Sequence, residues 1–179
     1  MRHTRPFLTA FGSSRITAND PLFADVQTLS QKLGALGWNG LTGGHQGMMA
    51  AFSQGITAAG GEVHGITLQQ FPTPPDNTLS EEIRAHNFFT RMQHLIEQAD
   101  AYLVLPGGLG TLAELAMTWD LLAIQTLQAR PLVIYGNLWE PVMAQLQQSL
   151  VMSVDHSFKT FTYCHNHDEV LAALELTHA

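Results

Sequence analysis

Positive charge is scarce in this chain. Eight Lys and Arg residues stand against fifteen Asp and Glu, giving a net charge of −7 at pH 7 over 179 residues. Nucleic acids need a basic face, and no basic run exists, so no nucleic-acid partner is expected. Only Lys32 and Lys159 are lysines, and neither sits in a glycine-rich Walker loop. No segment matches Gly-x-Gly-x-x-Gly either, which leaves conventional ATP and NAD sites unindicated. Cysteine is nearly absent: Cys164 alone cannot form an internal disulfide, and it fits a reducing compartment. Cys164-His165-Asn166-His167 lacks the paired spacing of a zinc site, so no metal is expected there. No apolar run approaches the roughly 18 residues of a membrane span, so no membrane partner is expected. The opening Met-Arg-His-Thr-Arg-Pro has no apolar core or cleavage site of a secretory signal, and a cytoplasmic location is expected.

What the chain does have is a well-stocked core, 45% hydrophobic against 13% charged residues, at a length suited to one domain. Short apolar runs alternate with longer helical stretches. The expected strands are Phe7 to Phe11, Trp38 to Thr42, Glu62 to Thr67, Ala101 to Leu105, Pro131 to Tyr135 and Thr160 to Tyr163. The expected helices lie near 20–37, 47–60, 79–98, 111–128, 139–150 and 167–177. Asp20-Pro21 is a helix start, with Asp as N-cap and Pro at the first helical position. Asp168 is expected to cap the last helix in the same way. This alternation predicts an α/β fold, a doubly wound parallel sheet in a single domain covering residues 1–179. The Pro-rich stretch 71–77 reads as a loop, placed as a lid over the ligand edge.

Three loops are expected on that edge, beyond the carboxyl ends of the strands. They are Gly12-Ser13-Ser14, Thr42-Gly43-Gly44-His45-Gln46-Gly47, and Pro106-Gly107-Gly108-Leu109-Gly110-Thr111. The third joins a strand to a helix, where free N–H groups and the positive helix end attract phosphate. Glu114 lies one turn further on. Two roles stay open for it: a capping box with Thr111, or a carboxylate facing a bound anion. Arg91 is either a surface arginine or one of the few cations available to an anion site. His45 is either a turn residue or a ligand contact. The helix 111–128 is apolar on nearly every face, which points to burial against another subunit. Ser13 has no Gly-x-Ser-x-Gly context, so a serine nucleophile is not expected.

Taken together, these stretches resemble the Lonely Guy (LOG) family, whose members often carry the label of possible lysine decarboxylases. The resemblance runs from about residue 7 to 136. Pro-Gly-Gly-x-Gly-Thr-x-x-Glu is present whole from Pro106 to Glu114. Gly12-Ser13-Ser14, Gly43-Gly44-x-x-Gly47-Met48-Met49 and Phe88-Phe89-Thr90-Arg91 are similar to further family segments. The resemblance implies a Rossmann-like homodimer that hydrolyses a nucleoside 5′-monophosphate to free base and ribose 5-phosphate, without a cofactor. It implies Arg91 and Glu114 as the catalytic pair. Gly12, Ser13, Ser14, Gly43, Gly44, Gly47, Met48, Pro106, Gly107, Gly108, Gly110 and Thr111 are then the residues holding substrate and phosphate. Two positions depart from the family pattern: Met92 replaces a lysine and Ala50 a glutamate. They keep a second expectation alive, a non-catalytic carrier of a nucleotide or of the molybdenum cofactor on the same fold. Nothing resembles a pyridoxal-binding lysine, and lysine decarboxylation is rejected.

Overall fold

Strands and helices alternate along the chain in a computed structural model that describes residues 5–72, 78–151 and 154–175. The strands are β1 (Phe7–Phe11), β2 (Asn39–Thr42), β3 (Val63–Leu68), β4 (Glu81–Ala85), β5 (Ala101–Val104), β6 (Leu132–Tyr135) and β7 (Thr162–Cys164). The helices are α1 (Pro21–Ala35), α2 (Met48–Ala58), α3 (Phe88–Glu97), α4 (Leu109–Ala123), α5 (Trp139–Ser149), α6 (Val154–Ser157) and α7 (His167–Ala173). All seven strands pair in parallel in the order β4-β3-β2-β1-β5-β6-β7. The doubly wound α/β fold expected from the alternation is the fold observed.

The register follows from burial. β1 is buried along its whole length, and Leu8 pairs with Gly40 on one side and Ala101 on the other. Alternate residues of the central strands therefore feed two separate cores. One packs Leu8, Ala10 and Leu103 against Val26 and Leu29 of α1, Phe52 and Ile56 of α2, and Val170 of α7. The other packs Phe11, Tyr102 and Val104 against Leu95 of α3, Leu115 and Trp119 of α4, and Met143 of α5. Arg130 closes the base of the second core, donating to the carbonyls of Ile96 and Glu97 at the end of α3 and of Ala99 beyond it, while the Tyr102 hydroxyl also donates to Ile96 O.

Four details differ from the sequence expectations. The segment 79–98 is not one helix: β4 comes first, and α3 begins only at Phe88, where Asn87 Oδ1 accepts the Thr90 N–H at 2.9 Å. Pairing with β3 overrides the helical propensity of Glu81 and Glu82, and Glu82 accepts from the Thr67 hydroxyl at 2.7 Å. The last helix is capped by Asn166, not Asp168, because Asn166 Oδ1 reaches the Glu169 N–H. The apolar helix expected at 111–128 runs instead from Leu109 to Ala123, and Gln125 beyond it has a left-handed φ of 59°. The short α6 was not anticipated. Asp20 caps α1 as expected, with Oδ1 accepting from the Leu22 N–H at 2.9 Å. Of the loop 71–77, residues 73–77 lie outside the described ones, and the lid placed there with them. Among the described residues, no helix is long and apolar enough to cross a membrane.

Candidate active site

The strand order reverses between β1 and β5, the place where doubly wound sheets open a crevice. The loops leaving those two strands are joined by main chain: the Ser13 N–H donates to Pro106 O at 3.1 Å. The loop after β2 is joined to them as well, through Met48 N–H donating to Ser13 O at 2.8 Å. This meeting requires glycine at position 47, where φ is +74° and a Cβ would stand 2.2 Å from Ser13 O.

A cavity of about 610 Å³ opens above these loops. Gly12, Ser13, Ser14, Arg91, Gly108, Gly110, Thr111 and Glu114 all line it, so residues separated by a hundred positions converge. Gly43 and Gly44 line a small crevice beside it, which shares Arg91 and His45 with the main cavity. Gly47 faces a different cavity, on the far side of the β1 loop, together with Ala50. The Met48 side chain is fully buried in the core, and its neighbour Met49 lines the cavity instead. Pro106 and Gly107 do not line the cavity. They lie under the loop, where a Cβ on Gly107 would meet the Thr111 hydroxyl at 2.1 Å. Arg15, Met49, Leu68, Phe88 and Leu109 also line the cavity without having been expected as site residues, and Phe71 lines it at the start of the loop expected over this edge. The available signal was motif membership or adjacency, since Met49, Phe88 and Leu109 lie within quoted motifs and Arg15 follows Ser14.

Helix α4 starts at Leu109 with Gly108 as N-cap, and no side chain caps it. Its first intrahelical bond runs from the Leu112 N–H to Gly108 O at 2.9 Å. The amides of Leu109, Gly110 and Thr111 therefore have no acceptor within the helix, and they stand at its positive end. Thr111 and Glu114 lie inside the helix, so the capping box that would have tied Glu114 to Thr111 does not form. Glu114 is instead 9% exposed, with Oε1 3.9 Å from Arg91 Nη2. The guanidinium is oriented from behind, its Nε–H donating to Ile66 O of β3 at 3.0 Å. At 3.9 Å the pair attracts through charge without a hydrogen bond.

Burial dominates the electrostatics of both partners. It pushes the Glu114 carboxyl up to about 7, while the Arg91 charge pulls in the other direction. Burial likewise lowers Arg91, opposed by Glu114. The consequence for stability can be signed. The native state holds the Glu114 proton where the unfolded chain, with an ordinary value of 4.5, has released it. Unfolding free energy is therefore expected to fall as pH rises from about 4.5 to 7, by at most about 3 kcal/mol. Urea titrations at pH 5 and pH 8 measure this. Glu114→Gln should flatten the difference, and an equal pH dependence in both proteins would assign it to other groups.

A Rossmann-like α/β protein with a buried acid beside an anion-receptive helix start is the class that this fold and site define. The family model described as "Possible lysine decarboxylase" matches residues 49–174, and the chain belongs to that family, the Lonely Guy family of the sequence resemblance. It is 32% identical over 109 residues to a cytokinin riboside 5′-monophosphate phosphoribohydrolase of Mycobacterium tuberculosis, covering 57% of this chain and 58% of that protein. A protein of the same name from Arabidopsis thaliana is 36% identical over 89 residues, 47% of this chain and 41% of the relative. The chain thus spans about half the length of the curated relatives it matches. In fold it is similar to the molybdenum cofactor binding protein of Rippkaea orientalis, with a TM-score of 0.71 at 21% identity over 94% of each chain.

Proposed function

We propose that this protein hydrolyses the N-glycosidic bond of a nucleoside 5′-monophosphate, of the AMP or cytokinin riboside type, to free base and ribose 5-phosphate. One observation carries the proposal: a carboxyl poised near neutrality by burial, beside a held guanidinium, one turn inside a helix whose first amides are free. The phosphate docks on the N–H groups at the start of α4. That remote contact fixes the sugar carbon C1′ beside Glu114. Water attacks C1′, the C1′–N bond breaks, and its electron pair leaves with the base. Glu114, as carboxylate, takes one proton from the water and faces the positive charge that builds on the sugar. That proton then passes to the departing base, so the products are neutral in protons. Arg91 opposes the burial of Glu114 and keeps part of it ionised at neutral pH.

No cofactor enters this scheme. A homodimer through α4 in the cytoplasm belongs to the same proposal. It is supported by the exposed Leu109 and Ile124 at the two ends of that helix, and by an apolar groove that its outer face forms with Leu150 and Val151. The test is incubation of the purified chain with AMP and other monophosphates, followed by chromatography for free base. Base and ribose 5-phosphate in equal amounts are expected. Tight binding with intact nucleotide recovered would replace the enzyme with a carrier, in line with the fold likeness to a cofactor-binding protein.

A further inference from the structure

We infer that Arg15 supplies the charge by which this cavity selects a phosphorylated ligand over an unphosphorylated one. The inference rests on the phosphate ester proposed above. A phosphate monoester carries about −1.5 to −2 charges at neutral pH, and a helix start offers only about +0.5. The remainder must come from a cation, in a protein whose net charge is −7.

The described cations leave few choices. Lys32 is engaged with His167, Arg84 with Glu82, and Arg130 with the carbonyls at the end of α3. Among the described residues only Arg15 and Arg91 line the cavity. Arg91 is already committed, with its Nε–H on Ile66 O and its Nη2 facing Glu114. A phosphate that drew Arg91 away would strip the carboxylate of the charge that keeps it ionised. Arg15 has no such commitment. Its side chain is exposed, and no ion pair or hydrogen bond engages its guanidinium among the described residues.

The root of that side chain is nonetheless fixed. The Arg15 N–H donates to the Ser13 hydroxyl at 3.1 Å, and Ser13 is itself bonded to Pro106 O, just before the α4 amides. The loop therefore holds a free guanidinium over the same cavity as Gly108, Gly110 and Thr111. Arg15 also borders a second cavity of about 310 Å³ with Gln46 and Gln54, on the other side of its loop. The two assignments of its charge predict different results.

Calorimetric titration of the full chain with ribose 5-phosphate and with ribose separates them. Arg15→Ala is expected to weaken ribose 5-phosphate by about 10- to 100-fold, the usual worth of a charge-assisted phosphate contact. Ribose binding should not change, and Arg15→Lys should recover most of the loss. Unchanged ribose 5-phosphate affinity in Arg15→Ala would overturn the inference and give the charge to the second cavity. Equal wild-type affinity for ribose and ribose 5-phosphate would overturn it too. Failure of the hydrolase proposal is seen separately, as wild-type protein that binds ribose 5-phosphate yet frees no base from nucleotides.

Discussion

Glu114→Gln is expected to lower base release from AMP by about 10²- to 10⁴-fold, the range that a positioned proton acceptor contributes, while leaving the fold intact. The amide keeps the shape of the side chain, so the cavity and the packing around α4 persist. It cannot accept a proton from water, and it offers no charge to the developing cation on the sugar. The same substitution removes a carboxylate whose burial is unfavourable above pH 7, so the variant should melt no lower than wild type at pH 8. Loss of rate without loss of stability is what marks a functional group apart from a packing one. In the wild type, the rate should rise with pH and level off above about 7, as the carboxylate forms. A Gln variant retaining a tenth or more of wild-type turnover would remove Glu114 from the mechanism.

The second large effect is expected from Gly43, which lines the small crevice beside the cavity and backs the Arg91 guanidinium. A Cβ at position 43 would stand 1.7 Å from Arg91 Nη2, so Gly43→Ala must displace the guanidinium. The obstacle is the tip of a flexible side chain, not main chain, and the fold can absorb it. Its cost falls on geometry: a catalytic group displaced by about 1 Å loses about 10²-fold in rate. Because both changes act on one group, the double variant Gly43→Ala/Arg91→Ala should be no slower than Arg91→Ala alone. Initial rates with AMP for the four proteins of that cycle measure this. Additive losses would show that Gly43 acts on the site by another route.

Several of these features were legible in the residues themselves. The central strands are short apolar runs, with β1 ending at Gly12 and β2 set between Gly37 and Gly43, and the loop from Pro106 to Thr111 encodes its backbone path in glycines. Such signals are local. β4 was hidden because it is an edge strand: Glu81, Glu82 and Arg84 read as a helical surface, and only pairing with β3 makes them extended. The two roles left open for Glu114 could not be separated without knowing that α4 begins at Leu109, two residues before Thr111. The anchor of Arg91 on Ile66 is a main-chain oxygen 25 positions away, and no side-chain pattern announces it. The same holds for Phe88, which opens α3 and reaches the cavity only because that helix start meets the glycine loops.

Arg91 is held by β3, on one side of the strand reversal, while Glu114 follows β5 on the other. Their 3.9 Å separation is therefore a caliper laid across the seam between two halves of the sheet. A slight slip along that seam would open the caliper while each half kept its own ladder of bonds. Turnover should thus fade before melting temperature does, making it the finer gauge of how well the halves are aligned.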